Sequence, residues 1–311
     1  MGTTGTAATF APGVGPLAIG AAALGIGGLL QAAVAVPALR AARPGLYQHR
    51  AVVITGAVAV AVYPLAFYSS MHTAGVAVGS VVSLASAPLA SGVLERLVDG
   101  RALSRWWMLA ASLGVLGSAL LCASKLDDDT GSGASTVLGI GLGLIAGSTY
   151  AIYSWACHRL MNNGISRAAS MGAVFGVGGL LLMPVLVATG APLLATPQAF
   201  SVGAYMALVP MFLGYLLFGY GLTKVSVSTA TTLTLTEPAI ATLLAVLIVG
   251  ERPGMLGWTG LIIIAVVLVI LAVAPTNADR APPETTAAPG IVTAVRAVPS
   301  TGGAAGVTVG R

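Results

Sequence analysis

The chain has 311 residues, of which 57% are hydrophobic and only 7% are charged, and its formal net charge is +5. A soluble domain carries about 25% charged residues, so this composition excludes a water-exposed globular surface. The apolar runs are long and unbroken, which excludes a membrane β-barrel with alternating apolar and polar residues. We therefore predict an all-α polytopic membrane protein.

Nine apolar stretches reach the length of about 20 residues that a helix needs to cross the hydrocarbon core. In chain order they are approximately 15–39, 51–71, 74–94, 106–124, 135–157, 168–189, 199–222, 226–249 and 255–274. Eight of them contain no Asp, Glu, Lys or Arg, and the stretch 226–249 contains a single acid, Glu237. Residues 275–311 are rich in Pro, Ala, Thr and Gly, so we predict a disordered tail.

The basic residues predict the orientation of these spans. Twelve of the 14 Lys and Arg residues fall in one set of alternating loops and the tail, and the opposite loops hold only Lys125 and Arg252. Cytoplasmic segments of membrane proteins carry the excess of Lys and Arg. We expect a bacterial plasma (inner) membrane protein with a cytoplasmic C-terminus.

An internal repeat has an offset of 150 residues. It aligns Pro88 with Pro238 and Thr73 with Thr223, and other identities include Gly100 with Gly250 and Leu94 with Leu244. The orientation above puts Thr73 on the outer side and Thr223 on the inner side, so the two halves are inverted. Inverted repeats are frequent in secondary transporters, with the site near the membrane midplane. Five helices in each half would make a ten-helix fold.

Four segments carry a family resemblance. TLTLTEPAIATLLAVLIVGERPGMLGWTGLIIIAVVLVI resembles the end of an EamA domain of the drug/metabolite transporter superfamily, with Glu237-Pro238 and Gly250-Glu251 in the corresponding positions. The other three segments are ALVPMFLGYLLFGYGLTKVSVSTA, SLASAPLASGVLERLVDGRALSRWW and GSTYAIYSWACHRL. The resemblance implies a first repeat at residues 1–124, a second repeat at 135–274, and a cytoplasmic tail at 275–311.

The first repeat departs from the family pattern at two points. Arg101 occupies the position that matches Glu251, so the Gly-Glu turn is missing. The segment GTTGTAATF resembles only the second half of the family's first helix. We therefore expect the first helix to be incomplete and the first repeat to be N-terminally truncated. We hypothesise either that the reading frame begins further upstream or that the gene is truncated.

Glu237 is the leading candidate for transport chemistry, because ionisable residues inside a span are costly and mark substrate or proton pathways. Its alternative role is to bond backbone groups that Pro238 leaves free. Thr234, Tyr150, Tyr153 and Ser154 are further candidates for substrate or proton binding. Hydroxyls of this kind also bond across helices, which is the alternative for each.

Several residues have a structural interpretation. Pro88 and Pro238 are candidate helix breaks that would free carbonyl groups for a ligand, with kinking for packing as the alternative. Gly139, Gly143 and Gly147 recur every four residues and predict close helix packing. Gln31 is predicted to bond between helices, and Trp155 to anchor a span at the interface.

The resemblance implies a secondary active transporter of a small metabolite such as an amino acid, which we predict to be an exporter with proton coupling through Glu237. The expected partners are a small-molecule substrate and the lipid bilayer, a homodimer is left open, and nucleic acid is excluded. We expect no cofactor and no metal, because the chain has no Walker A sequence and no metal-ligand spacing. The alternatives are a non-transporting membrane scaffold and a membrane-embedded lipid-modifying enzyme, for which Asp127–Asp129 is the sole acid cluster.

Overall fold

The computed structural model describes residues 7, 10–11, 13–100, 102–123, 133–237, 239–240 and 254–273. Every regular element within these residues is helical, which confirms the all-α prediction. The helices are α1 Pro16–Val34, α2 Val36–Ala41, α3 Arg43–Gln48, α4 Arg50–Ala74, α5 Val76–Leu97, α6 Arg105–Ala123, α7 Gly133–Asn162, α8 Arg167–Thr189, α9 Pro197–Gly221, α10 Val227–Leu233 and α11 Met255–Val273. The predicted tail, 275–311, lies outside the described residues.

Six of the described helices are long and apolar enough to cross a membrane, namely α1, α4, α5, α7, α8 and α9. A shorter apolar stretch covers Met255–Ile270 in α11. Helix α6 begins at Arg105, next to the start of the predicted span 106–124. The predicted span 226–249 is described only as far as residue 240, and Pro238 is not among its described residues.

Helices α4 and α5 form a hairpin around Gly75, whose φ of 84° lies in the left-handed region that favours glycine. Helix α5 then continues from Val76 to Leu97 with Pro88 inside it. The predicted break at Pro88 is therefore not present. A proline removes one N–H donor from a helix, but the flanking turns keep their own bonds, and α5 is also held along its length by packing against α7.

Helices α1 and α9 each contain a π-helical segment, at Ala21–Ile26 and Ala207–Leu213. The two segments pack against each other. Pro210 lies within the second of them, which accounts for the loss of regular α-helical bonding there. Wide turns of this kind occur frequently at functional sites in helices.

The glycines of α7 face α4 and α5. A methyl group at Gly143 would lie 3.0 Å from Val82 Cγ1, and one at Gly147 would lie 2.5 Å from the Ser83 carbonyl oxygen. Gly139 sits equally tightly against the end of α4. The prediction that these three glycines mediate close helix packing is confirmed.

Three pairs of helices separated by the repeat offset of 150 residues pack against each other, namely α1 with α8, α5 with α10 and α6 with α11. The same offset relates α4 to α9, and these two helices do not share a comparable contact. In the first pair the backbones approach closely, since a methyl group at Gly179 would lie 2.7 Å from the Gly25 carbonyl oxygen.

Candidate functional site

Eight aromatic rings from α4, α7, α8 and α9 form a connected group in the main hydrophobic core, which we call the aromatic cluster. Its members are Tyr63, Phe67, Tyr68, Tyr150, Tyr153, Phe175, Tyr215 and Phe218. Ring centroids lie 5.5 Å apart for Tyr63 and Tyr150 and 4.7 Å apart for Phe175 and Tyr215. Tyr63 belongs to the first predicted repeat and Tyr150 to the second, so the cluster joins the two halves.

The hydroxyls of Tyr153 and Tyr215 share a hydrogen bond of 2.5 Å. Both side chains are fully buried. Tyr153 was predicted as a binding residue, but in this arrangement its hydroxyl is already paired with another side chain. Its immediate role is to hold α7 against α9 within the aromatic cluster.

Tyr150 and Ser154 lie one helical turn apart on the same face of α7. Both are buried, and neither hydroxyl has a hydrogen-bond partner of good geometry among the described residues. The hydroxyl of Tyr68 on α4 is in the same situation. Leaving a buried polar group unpaired costs about 1–3 kcal/mol, so such groups mark places where water or a ligand completes the bonding.

Glu237 follows an interruption in its span. Helix α10 ends at Leu233, and the chain continues through a turn in which the Leu235 amide donates to the Thr232 carbonyl at 3.1 Å. The Glu237 amide donates to the Thr234 carbonyl at 2.9 Å. Discontinuous helices of this kind form the binding sites of many secondary transporters.

Glu237 is half-buried. It is close enough to interact electrostatically with four of the tyrosines, which are Tyr63, Tyr68, Tyr150 and Tyr215. The Tyr150 hydroxyl also lies close to the Thr234 side chain. Thr234 itself donates to the Thr231 carbonyl at 2.7 Å. The structure thus brings Glu237, Thr234 and Tyr150 together.

Sequence reasoning missed the tyrosines of α4 and α9. Five of the eight tyrosines of the chain belong to the aromatic cluster. Seven of the eight tyrosines lie in three of the predicted spans, and this concentration is the signal that could have identified Tyr63, Tyr68 and Tyr215.

Glu95 is a second buried acid that the sequence did not single out. Its side chain is 4% exposed and accepts two hydrogen bonds from Ser228, at 3.2 Å from the amide and 2.6 Å from the hydroxyl. One turn earlier, Ser91 accepts a bond of 3.1 Å from Thr231. These bonds fasten the end of α5 to the start of α10. Glu95 directly follows the predicted span 74–94, so it was assigned to a loop.

Asp99, just beyond the end of α5, makes a second connection at the same end of that helix. It forms an ion pair of 2.5 Å with Arg159 and accepts a hydrogen bond of 3.2 Å from the Trp155 indole, both on α7. Trp155 therefore bonds within the protein, in addition to any contact with the interface. Together, the Glu95–Ser228 and Asp99–Arg159 contacts tie the end of α5 to two helices of the second half, and we call them the α5 clamp.

Comparison with known proteins places the chain in a family. The model of the EamA-like transporter family matches residues 137–273. The "Uncharacterized transporter YwfM" of Bacillus subtilis (strain 168) is 33% identical over 284 residues, covering 90% of this chain and 92% of the relative. The chain belongs to the EamA-like transporter family. It is a multi-pass membrane transporter, and the resemblance to the drug/metabolite transporter superfamily is confirmed.

A solved crystal structure shares the fold of this EamA-like transporter. Its TM-score is 0.70 at 17% sequence identity, and the match covers 90% of this chain and 94% of the other. At this identity the likeness concerns the arrangement of the helices alone.

Proposed function

We propose that this EamA-like transporter is a secondary active exporter of a small metabolite with an amino group, such as an amino acid, across the bacterial inner membrane. The observation that carries the proposal is the position of Glu237. Its carboxylate follows an interruption in its span and lies within electrostatic reach of buried tyrosines, and the hydroxyls of Tyr68 and Tyr150 lack partners among the described residues. This arrangement can bind a cation and orient a polar substrate.

The chemistry of the site favours an ammonium group. A carboxylate forms strong charge-assisted hydrogen bonds with such a group, and the faces of tyrosine rings attract cations. The unpaired hydroxyls of Tyr150 and Ser154 can each donate one hydrogen bond and accept others. They would orient the polar remainder of the substrate, such as an amino acid carboxylate.

The same carboxylate provides a route to proton coupling. A half-buried Glu237 can hold a proton or pair with a substrate ammonium group, but it cannot do both at once. Release of the substrate to the outside would then be accompanied by protonation, and return of the empty site would carry the proton inward. Acidic residues in membrane spans serve as proton relays in many transporters.

The packing of the helices supports a ten-helix fold of two inverted repeats. Three pairs of helices related by the offset of 150 residues pack together, as expected when two equivalent helices lie beside a pseudo-twofold axis. The 12 basic residues on one side support a cytoplasmic C-terminus. In this orientation the site lies between the halves, and substrate reaches it from either side in alternation.

The α5 clamp then lies on the cytoplasmic side. It connects α5 of the first repeat to α7 and α10 of the second. We infer that it closes the inner side and must open to admit substrate from the cytoplasm. Glu95 and Asp99 would thus position the helices and take no part in binding substrate.

A resistance assay tests the proposal. Bacteria that express the chain would be challenged with a panel of toxic amino acid analogues, with wild type compared with Glu237→Gln at verified equal membrane abundance. Glu237→Asp retains the charge, and Glu251→Gln removes an acid from a predicted turn, so both serve as controls. Resistance to one class of analogue that is lost only in Glu237→Gln supports the proposal. Resistance that Glu237→Gln retains in full contradicts the role of the carboxylate, and no resistance to any analogue favours a scaffold.

A further inference from the structure

A groove separate from the Glu237 site runs between α1, α8 and α9. It has a volume of about 470 Å³. Val34, Leu213 and Leu217 form its apolar walls, and each is more than half exposed, at 65%, 51% and 66%. In a membrane protein such walls face the acyl chains of the bilayer.

The mouth of the groove carries two cations at a single aromatic ring. The Arg167 guanidinium lies 5.8 Å from the centroid of Tyr220, and the Lys224 ammonium lies 5.9 Å from the same centroid. Neither cation pairs with a carboxylate within the described part of the chain, where the ion pair is Arg159–Asp99. Two like charges at one ring repel each other, and an anion bound beside that ring would relieve the repulsion.

Arg167 is already oriented for such a contact. Its Nη1 donates to the Leu216 carbonyl at 3.2 Å, which fixes the guanidinium at the edge of the groove. A guanidinium has five N–H donors in a planar fork that matches the oxygens of a phosphate, and the bond to Leu216 uses one of them.

A polar group also lies deeper in the groove. Gln31 is only 2% exposed, and its Nε2 donates to the Met211 carbonyl at 3.4 Å. This bond between α1 and α9 confirms the predicted role of Gln31. Its Oε1, however, has no hydrogen-bond partner among the described residues. The groove therefore offers cations at its mouth, apolar walls, and an unpaired acceptor that a ligand hydroxyl or a water molecule could satisfy.

We propose that this groove binds an anionic phospholipid of the inner leaflet, with its phosphate between Arg167 and Lys224 and an acyl chain along Val34, Leu213 and Leu217. The inference rests on the proposed orientation, which puts the mouth on the cytoplasmic side, and does not depend on the substrate. Basic pockets between spanning helices on that side bind anionic headgroups. Because α1 belongs to the first repeat and α8 and α9 to the second, the bound lipid bridges the two halves.

Lipid-dependent thermal stability tests this site. The purified full-length chain would be stripped of lipid in detergent and titrated with phosphatidylglycerol, with phosphatidylcholine, and with inorganic phosphate. We expect phosphatidylglycerol to raise the Tm and the other two to have little effect. Each cation contributes about 1 kcal/mol to the attraction of an anionic lipid, so Lys224→Gln should weaken the apparent affinity about fivefold.

Three variants complete the test. Arg167→Gln should weaken the response of the Tm to phosphatidylglycerol further, and so should the double variant that combines it with Lys224→Gln. Lys224 is exposed, so if Arg167→Gln fails to fold, the result for Lys224→Gln is sufficient to test the proposal. Arg50→Gln is the matched control, because Arg50 lies 5.1 Å from the Tyr47 ring and outside the groove. Equal responses to phosphatidylglycerol and phosphatidylcholine, or an unchanged response in Lys224→Gln, would overturn the proposal. An equal response to inorganic phosphate would show an anion site that does not require a lipid and would also overturn it.

Discussion

The carboxylate of Glu95 accepts hydrogen bonds from both the amide and the hydroxyl of Ser228, at 3.2 Å and 2.6 Å. The two residues are 133 positions apart and belong to different predicted repeats. A carboxylate at the beginning of a helix also interacts favourably with the helix dipole, and here that helix is α10, which leads to Glu237. The α5 clamp and the candidate site are thus connected through one short helix.

Breaking this contact should expose the interior from the cytoplasmic side. Cys157 is fully buried on α7, in the main hydrophobic core that also contains Tyr215, and can report the opening. In a Cys122→Ser background, Glu95→Ala should accelerate alkylation of Cys157 by a maleimide. A hydrogen bond to a charged group is worth about 1.5–3 kcal/mol, so the acceleration should be at least tenfold.

The control for this experiment is Thr149→Ala, which removes a hydroxyl that bonds only within its own helix. Glu95→Gln keeps part of the bonding and should give an intermediate rate. An alkylation rate in Glu95→Ala that equals the rate in Thr149→Ala would show that the clamp does not control access.

The tyrosine pair and the unpaired tyrosine should respond differently to loss of a hydroxyl. Tyr153→Phe leaves the Tyr215 hydroxyl buried without its partner, which should lower the free energy of unfolding by about 1–3 kcal/mol. Adding Tyr215→Phe should recover most of that loss. Tyr150→Phe removes a hydroxyl without a described partner, so stability should be unchanged or higher while transport weakens.

Thermal unfolding of these variants in detergent, together with transport assays, would check this contrast. A destabilisation by Tyr150→Phe as large as that by Tyr153→Phe would contradict the assignment of Tyr150 to the substrate site.

Packing between α7 and α5 should tolerate no side chain at Gly147. A methyl group there would lie 2.5 Å from the Ser83 carbonyl, so even Gly147→Ala should be destabilising, by about 1–3 kcal/mol. Gly141 lies on the same helix, and a methyl group added to it would meet nothing within 4 Å, which makes Gly141→Ala the matched control. We expect a lower Tm for Gly147→Ala and a Tm near wild type for Gly141→Ala. Equal Tm values would contradict the packing.

The sequence pattern predicted the features that depend on a single helix. It did not predict the features that depend on contacts between distant segments. The length of apolar runs predicted the helices, and the spacing of Gly139, Gly143 and Gly147 predicted a packing face, because both follow from helix geometry. The end of α10 at Leu233, before Glu237, could not be predicted, since proline chemistry pointed to residue 238. At Pro88 the proline predicted a break, but packing against α7 keeps the helix continuous.

Glu95 was missed for a related reason. From the sequence alone, an acid at the end of an apolar run is expected to be exposed to water. Glu95 is buried because Ser228, from a distant segment, packs against it. The pairing of Tyr153 with Tyr215 likewise depends on how α7 meets α9. Glu237, by contrast, could be identified from the sequence. A single charge in an apolar span is unusual, and this signal does not depend on how the helices pack.

The central claim is that Glu237 binds the substrate and couples its export to protons, and efflux tests it most directly. Cells would be preloaded with the radiolabelled analogue to which the chain confers resistance, and its release would be followed with and without an uncoupler. We predict that the wild type and Glu237→Asp release the analogue and that the uncoupler slows them. Glu237→Gln should release it no faster than cells without the chain. Efflux by Glu237→Gln at the wild-type rate, with the same response to the uncoupler, would contradict the account.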